Sequence, residues 1–283
     1  MSRASQLYSD IFNLSTAVFF GAAFVGWAGA TYSHVIEPSW VETTHLSLHL
    51  PRLGEGFQGY RLVQISDIHM DGWMNRSRLD DIVDRVNSLK PDLVVITGDF
   101  VTHEPWKYED DLVTSLGRLS ARDGVLSVLG NHDHWAGVWT VQKILKKSNI
   151  QNLNNQVITL QCDGSRLHIG GIDDYYTGYA RLDKVIEQLP QDGAAILLAH
   201  EPDFADISAA TGRFDLQLSG HSHGGQVVLP FIGAPYLPRY CRKYPSGLYK
   251  VGNMFQYTNR GLGSVHFKIR FNSRPEITSF TFN

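Results

Sequence analysis

Apolar and polar positions fall in blocks along this chain, and each block predicts a different element. From Ile11 to Ser33 there is no charged residue, and Ala17 to Ala30 is apolar on every face of a helix. A helix of that length covers roughly 34 Å, enough to cross a hydrocarbon layer of about 30 Å. Residues 34–58 are mixed, with Pro38, Pro51, Gly54 and Gly56, and read as a connector with one extended piece near Leu46–Leu50. Thereafter short apolar runs alternate with amphipathic stretches. Arg61–Ser66 alternates as a strand does, Asp92–Thr97 reads as a buried strand and Val125–Leu129 as a third strand, while Leu79, Ile82, Val83, Val86 and Leu89 recur at helical spacing until Pro91 stops them. Ala194–Ala199 and Phe214–Leu218 repeat the strand pattern, with a helical Asp203–Ala210 between them. From Gln226 onward, Gln226–Leu229, Gly247–Val251, Met254–Thr258 and Glu276–Thr281 predict a second, antiparallel layer, interrupted by a Pro/Gly/Tyr-rich loop from Pro230 to Gly247. The expected organisation is a short tail (1–10), a membrane-spanning or signal segment (11–33), a connector (34–58) and one α/β domain (59–283).

Each predicted strand delivers a polar cluster at its C-terminal end: Asp67-Ile68-His69, Gly98-Asp99, Gly130-Asn131-His132-Asp133, His200, and Gly220-His221-Ser222-His223. Asp67, Asp99 and Asn131 stand 32 residues apart and 32 again, the scale of one βαβ unit. Parallel strands joined by crossover helices gather such loops at one sheet edge, where open α/β folds bind ligands. Seven of the twelve histidines lie in or beside these clusters. A single histidine is more often a satisfied core or surface residue than a ligand; in this order, at these strand ends, the set has the chemistry of a two-metal hydrolase. Imidazole, carboxylate and amide together suit Mn, Fe or Zn better than Ca or Mg, which favour all-oxygen cages.

Charge and cysteine content narrow the partners. A net charge of −3, without a Lys/Arg-rich run, gives no field for tracking a nucleic-acid backbone, so no dedicated nucleic-acid partner is expected. Cys162 and Cys241 lack C-x-x-C spacing and read as two unrelated thiols. The N-terminal segment predicts a single-pass anchor; its rival is a cleaved signal peptide with a secreted or periplasmic product, since Ala28-Gly29-Ala30 is an A-x-A site. Arg3 precedes the apolar stretch and no Lys or Arg follows until Arg52, which favours a cytoplasmic N-terminus with the catalytic domain outside the cytoplasm.

The series D-x-H, G-D, G-N-H-D, H, G-H-x-H resembles that of the calcineurin-like metallophosphoesterases, over about residues 60–266. The text around it, including Gly220 to Gln226, Leu229 to Gly233, Asn259 to Gly263 and Arg274-Pro275-Glu276, is similar to the bacterial, membrane-associated YkuE/YaeI branch. The resemblance implies an α/β fold: a β-sandwich of two mixed sheets flanked by helices, with the N-terminal helix outside it. It implies two divalent metal ions, one held by Asp67, His69 and His223, the other by Asn131, His200 and His221, with Asp99 shared. It implies phosphoester hydrolysis by in-line attack of a metal-bridging hydroxide, with His132 protonating the leaving oxygen, and Asp133 orienting its loop.

Two departures restrict the activity. Phosphoprotein phosphatases of this family carry an Asp and then an Arg where this chain has Thr102 and His103, and purple acid phosphatases carry a metal-ligating Tyr at the position of Thr102. A phosphodiesterase or pyrophosphatase is therefore expected, acting on an envelope or lipid-linked phosphoester, with UDP-2,3-diacylglucosamine as one candidate, although lipid A synthesis is cytoplasmic and so conflicts with the outward topology. The alternative is a catalytically idle metal-binding scaffold at the membrane. His103 and His134 read equally as phosphate contacts or as loop residues. Asp173-Asp174-Tyr175-Tyr176 and Arg260 read as structural parts of the mouth rather than substrate contacts, and Tyr236, Tyr240 and Tyr244 as an ordinary packed loop, the alternative being an apolar lip for a lipid-linked substrate.

Overall fold

A computed structural model describes residues 3–283; Met1 and Ser2 of the expected tail lie outside the described residues. The first helix, α1 (Arg3–Thr31), takes in the rest of that tail and the apolar stretch in one rod, continued by a wider π-helical turn (Tyr32–Ile36) and a tighter 3₁₀ turn (Glu37–Ser39). Its large apolar side chains, among them Phe12, Phe19, Phe24 and Trp27, are exposed, and the segment Gln6–Ser39 has a mean hydropathy of 1.6 in its most apolar window. Length and apolar character together fit a membrane span rather than a core helix.

The rest of the chain forms two six-stranded mixed sheets. The first has the order β1 (Glu42–Leu48), β12 (Glu276–Phe282), β2 (Arg61–Ile65), β3 (Leu93–Thr97), β4 (Val125–Val128), β5 (Gln151–Asn152). The second has the order β10 (Gly247–Val251), β11 (Met254–Thr258), β9 (Leu216–Ser219), β8 (Ala194–Leu198), β7 (Ser165–Gly171), β6 (Gln156–Cys162). Three helices, α2 (Arg76–Ser88), α3 (Glu109–Leu116) and α4 (Asn131–Lys147), cover the outer face of the first sheet, and α5 (Leu182–Gln188) and α6 (Ala205–Ala210) that of the second. Successive strand residues supply successive layers: Leu62, Leu93 and Val95 pack between the sheets against Ile196, Leu198 and Leu216, whereas Val63, Val94 and Ile96 face α2. Each such fully buried Leu, Ile or Val contributes about 1.5–3 kcal/mol of transfer free energy. The α2 N-terminus is capped by Asn75, whose side-chain oxygen accepts from the Arg78 N–H.

The C-terminal third departs from the expected antiparallel layer. Its strands divide between the sheets: β11 runs parallel to β9, and β12 inserts between β1 and β2, parallel to the former and antiparallel to the latter. The mixed apolar and polar residues of Glu276–Phe282 read like a half-exposed strand, whereas β12 is paired along both edges and buried over nearly its whole length, a placement set by segments distant in sequence. Gln226–Leu229 forms isolated bridges, Val227 with Phe271 and Leu229 with Gly233, rather than a strand. The stretch 42–48 within the connector pairs along its full length with β12. Parallel β2, β3 and β4 in one sheet and β8 and β9 in the other end at the same edge of the sandwich, which is where the polar clusters emerge.

Candidate active site

The five clusters converge. Asp67, His69 and His223 form one group whose candidate ligand atoms lie within 4.8 Å of one another, Asp99, His200 and His221 a second, and His69, Asp99 and His132 a third that joins them. His69 Nε2 lies 3.1 Å from His223 Nε2 and 3.4 Å from an Asp99 carboxylate oxygen, and His200 Nε2 lies 3.3 Å from that same oxygen. Asp99 thus stands between the two groups. Asn131 is buried at the N-terminus of α4, and its side-chain oxygen has no hydrogen-bond partner. A buried amide oxygen left unpaired is costly unless something else accepts its lone pairs. Facing imidazole nitrogens and carboxylates beside that oxygen fit a pair of cations better than any internal hydrogen-bond network.

The far side of each ring is tied down, and this sets which nitrogen faces inward. His200 Nδ1 donates to the Thr97 carbonyl at 2.7 Å, and His221 Nε2 donates to the Arg239 carbonyl at 2.9 Å, leaving His200 Nε2 and His221 Nδ1 3.2 Å apart. Outer hydrogen bonds of this kind hold ring orientation and raise ligand basicity. His223 Nδ1 lies 3.4 Å from the guanidinium of Arg270, which is fully buried and donates to the Arg260, Gly261, Gly263 and Ser273 carbonyls. Asp133 accepts from the backbone N–H groups of Asp99, Phe100 and Gly130 at 2.8–3.0 Å, so its carboxylate binds two metal-side loops together rather than facing the cluster. Glycines allow this proximity: a Cβ on Gly130 would strike Asp99 and His200, and one on Gly220 would strike Ser66 and Asp67.

Electrostatics divide the cluster. Burial holds His69 and His223 well below the ordinary imidazole range, and burial with the neighbouring His200 charge puts His221 at about 4. These three are neutral at pH 7, the form that ligates metals. Asp99 and His200 behave oppositely. Burial disfavours both charges, but their mutual attraction outweighs it, lowering the Asp99 carboxyl and raising His200 well above its usual value. Asp67 is pushed up to about 6 and Asp133 to about 7, in each case chiefly by burial.

A cavity of about 620 Å³ opens directly over the cluster, lined by Asp99, Asn131, His132, His221 and His223 at its floor. Its walls are largely aromatic and aliphatic, with Trp135, Tyr176, Tyr236, Val227 and Phe267, and they carry one cation, Arg239. The His132 ring packs edge-on to His69 and against Trp135, with centroids 4.8 and 5.0 Å away, and its backbone N–H donates to Asp99 at 2.9 Å. In place of a carboxylate partner, the Thr102 carbonyl sits 3.4 Å from His132 Nδ1.

Flanking residues sort cleanly. His134, in the first turn of α4, pairs with Asp173 at 2.7 Å and stacks on Tyr179, which ties the start of that helix to the 173–179 loop. Arg260 is held by Glu42 and Glu276. Glu201 accepts from the Tyr175 and Tyr176 N–H groups, and Tyr176 lines the cavity instead of only shaping its mouth. Tyr236 also lines the cavity, so part of the Pro230–Gly247 loop belongs to the wall. Cys162 and Cys241 are unpaired thiols. Sequence reasoning missed Arg239 and Arg270; neither sits in a motif, and only the fold brings them to the cluster.

Residues 60–225 match the calcineurin-like phosphoesterase family model, which covers more than half of the chain. This chain belongs to that family, and is a metallophosphoesterase, a hydrolase whose relatives use two metal ions. It is 35% identical over 262 residues to the uncharacterized metallophosphoesterase YkuE of Bacillus subtilis, covering 92% of this chain and 91% of that one. It is 28% identical over 255 residues to the phosphodiesterase YaeI of Escherichia coli, covering 89% and 92%. It is also 27% identical over 326 aligned positions to the UDP-2,3-diacylglucosamine pyrophosphatase LpxG of Chlamydia muridarum, covering 93% and 95%.

Proposed function

We propose that this chain is a membrane-anchored phosphodiesterase or pyrophosphatase acting on an envelope or lipid-linked substrate. In this reading Asp67, His69 and His223 would hold one divalent metal and Asn131, His200 and His221 the other, with Asp99 shared between the two groups, and α1 is retained as a single-pass anchor with the catalytic domain outside the cytoplasm. When bound, the cation pair screens phosphate charge and activates water for in-line attack. The observation that carries the reading is the apolar-walled cavity over the cluster: it has room for a phosphodiester with a large apolar substituent, and Asp99, Asn131, His221 and His223 of the converging groups line its floor.

The chain's own groups supply the remaining chemistry. Arg239 in the wall offers a positive charge to a second phosphate, and its guanidinium is steadied 4.4 Å over the Tyr240 ring. With Nδ1–H directed at the Thr102 carbonyl, the imidazolium form of His132 would give its Nε2 proton to the leaving oxygen and end as the neutral Nδ1–H ring. The names of YaeI and LpxG support diester and pyrophosphate bonds respectively, and the second makes UDP-2,3-diacylglucosamine the first lipid-linked substrate to try.

The test is turnover by manganese-, iron- or zinc-loaded full-length protein on bis(p-nitrophenyl) phosphate, p-nitrophenyl phosphate and UDP-2,3-diacylglucosamine, with His132→Ala alongside. Preference for the diester or pyrophosphate over the monoester is expected, with His132→Ala lowering kcat by about 10²–10³-fold on substrates with poor leaving groups. Stoichiometric metal without turnover on any of the three refutes the enzyme reading and leaves an idle scaffold.

A further inference from the structure

The end of the membrane helix is built into the shell of the candidate active site. Past Thr31, the Tyr32 ring meets Phe271 edge-on at 6.3 Å, and the Ser33 carbonyl accepts from the Arg270 N–H at 2.9 Å. The buried Glu37 carboxylate accepts from the Ser273 N–H. These partners lie on the segment 270–273, which also carries the Arg270 guanidinium beside His223 and the Ser273 hydroxyl, donor to the His223 carbonyl at 2.8 Å. The orientation of the site relative to α1 is therefore fixed by buried hydrogen bonds rather than by a free linker.

The same segment carries a protruding apolar tip. Phe271 N–H donates to the Gln226 carbonyl, and Val228 N–H to the Phe271 carbonyl, both at 2.8 Å. From Val228 the chain makes a tight turn closed by Leu229 and Gly233, with Phe231 fully exposed and Ile232 74% exposed at its apex. The Phe231 Cα lies at most about 11 Å from that of Val228, the residue hydrogen-bonded to the Phe271 carbonyl, because three residues can span no more. Gln226 Nε2 also reaches the Phe267 carbonyl at 3.4 Å, and the Phe267 ring is 72% exposed. Val35, Ile36, Trp40 and Tyr236 add further exposed apolar surface around the helix exit and the cavity mouth. Apolar side chains clustered at this density on a soluble face mark an interaction surface. Here that surface is continuous with the exit of a helix suited to a bilayer, and Tyr32, Trp40 and Tyr236 are of the type that settles at the headgroup level.

We propose that the 228–236 turn and Phe267 insert into the headgroup layer of the same membrane that α1 spans, so that the cavity opens at the lipid surface. Tyr236 and Phe267 belong both to this surface and to the cavity wall, so a lipid whose headgroup carries the phosphoester enters from the bilayer without crossing water. The inference rests on the anchored reading above, and commits to the bilayer as occupant of this face.

Full-length protein with Cys162→Ser tests it, the remaining Cys241 thiol being fully buried, reconstituted in phosphatidylcholine/phosphatidylglycerol vesicles with brominated acyl chains and labelled with an environment-sensitive fluorophore. Single labelling sites come from Val25→Cys in α1, Phe231→Cys or Ile232→Cys at the tip, and Asp192→Cys ahead of β8, at the sheet edge away from the site. Bromine should reduce emission about twofold or more at positions 25 and 231 or 232, and leave position 192 unchanged. Quenching at 25 without quenching at 231 and 232 overturns the insertion while leaving the anchor standing. No quenching at 25 overturns both.

Discussion

Replacing Gly130 by Ala isolates how tightly the cluster is packed. The residue sits at φ −113°, ψ 179°, extended backbone that alanine adopts freely, so the added methyl is the entire perturbation. That methyl would overlap an Asp99 carboxylate oxygen and lie 2.7 Å from both Cε1 and Nε2 of His200. Carbon contacts are comfortable only near 3.5 Å or beyond, so roughly 0.8 Å must be found at His200 and more at Asp99. Neither neighbour can yield easily: His200 is held through Nδ1 by the Thr97 carbonyl, and Asp99 by the His132 N–H. Overpacking of this kind costs about 1–3 kcal/mol, less than the stability of an ordinary domain, so the variant folds. Moving two metal-side groups by nearly an ångström should nevertheless cost about 10²-fold in kcat/KM. Metal content by elemental analysis, kcat/KM on bis(p-nitrophenyl) phosphate and Tm are the readouts, with Gly72→Ala as control because a Cβ there meets nothing within 4 Å. Gly130→Ala with full metal content and kcat/KM within twofold of the parent would refute the packing argument.

Asp99→Asn keeps the shape and tolerates the left-handed backbone of this position but removes the shared charge; both metals and at least about 10³-fold of activity should be lost, and an unchanged metal content would show that Asp99 is not the bridge. Loading the metal-free protein at pH 7 should release about one proton per chain, because Asp99 holds His200 protonated until a cation displaces that proton; calorimetry in buffers of differing ionisation enthalpy measures it, and zero release contradicts the assignment. Burial alone would lower His134, but Asp173 raises it, so their pair stabilises the fold fully below the ordinary histidine value of about 6.5 and loses that contribution as pH rises through the raised one. Unfolding free energies of His134→Gln from urea titration should therefore fall behind the parent by about 1 kcal/mol at pH 5.5 and converge by pH 9, partial solvent access screening the pair; a gap independent of pH is the contrary result.

The strand–helix alternation and the five clusters were legible because burial and ligation both select residue type. Two-sided burial makes β3 and β8 plain apolar runs, and a cage of imidazoles and carboxylates cannot be assembled from other side chains. What escaped the sequence depends on pairing between distant segments. Nothing local in Glu276–Phe282 says that it lies between β1 and β2, and nothing in 267–273 says that Arg270 is buried against His223. The backbone at the site shows why such remote support is needed. Asp67, His69, Asp99, His221 and His223 all have φ between 49° and 67°, a conformation that costs non-glycine residues of order 1 kcal/mol or more each. Five strained residues cannot hold their places by local preference, so the surrounding bonds must do so: Asp133 to the Asp99 and Gly130 loops, Asp67 to the His221 N–H, Ser273 and Arg270 to His223. The groups that would meet metal are therefore readable as a motif, whereas the groups that keep them in that conformation are readable only from the fold. Because Arg270 and Ser273 also bind the exit of α1, the support of the cluster and the attachment of the domain to its helix are carried by one short segment.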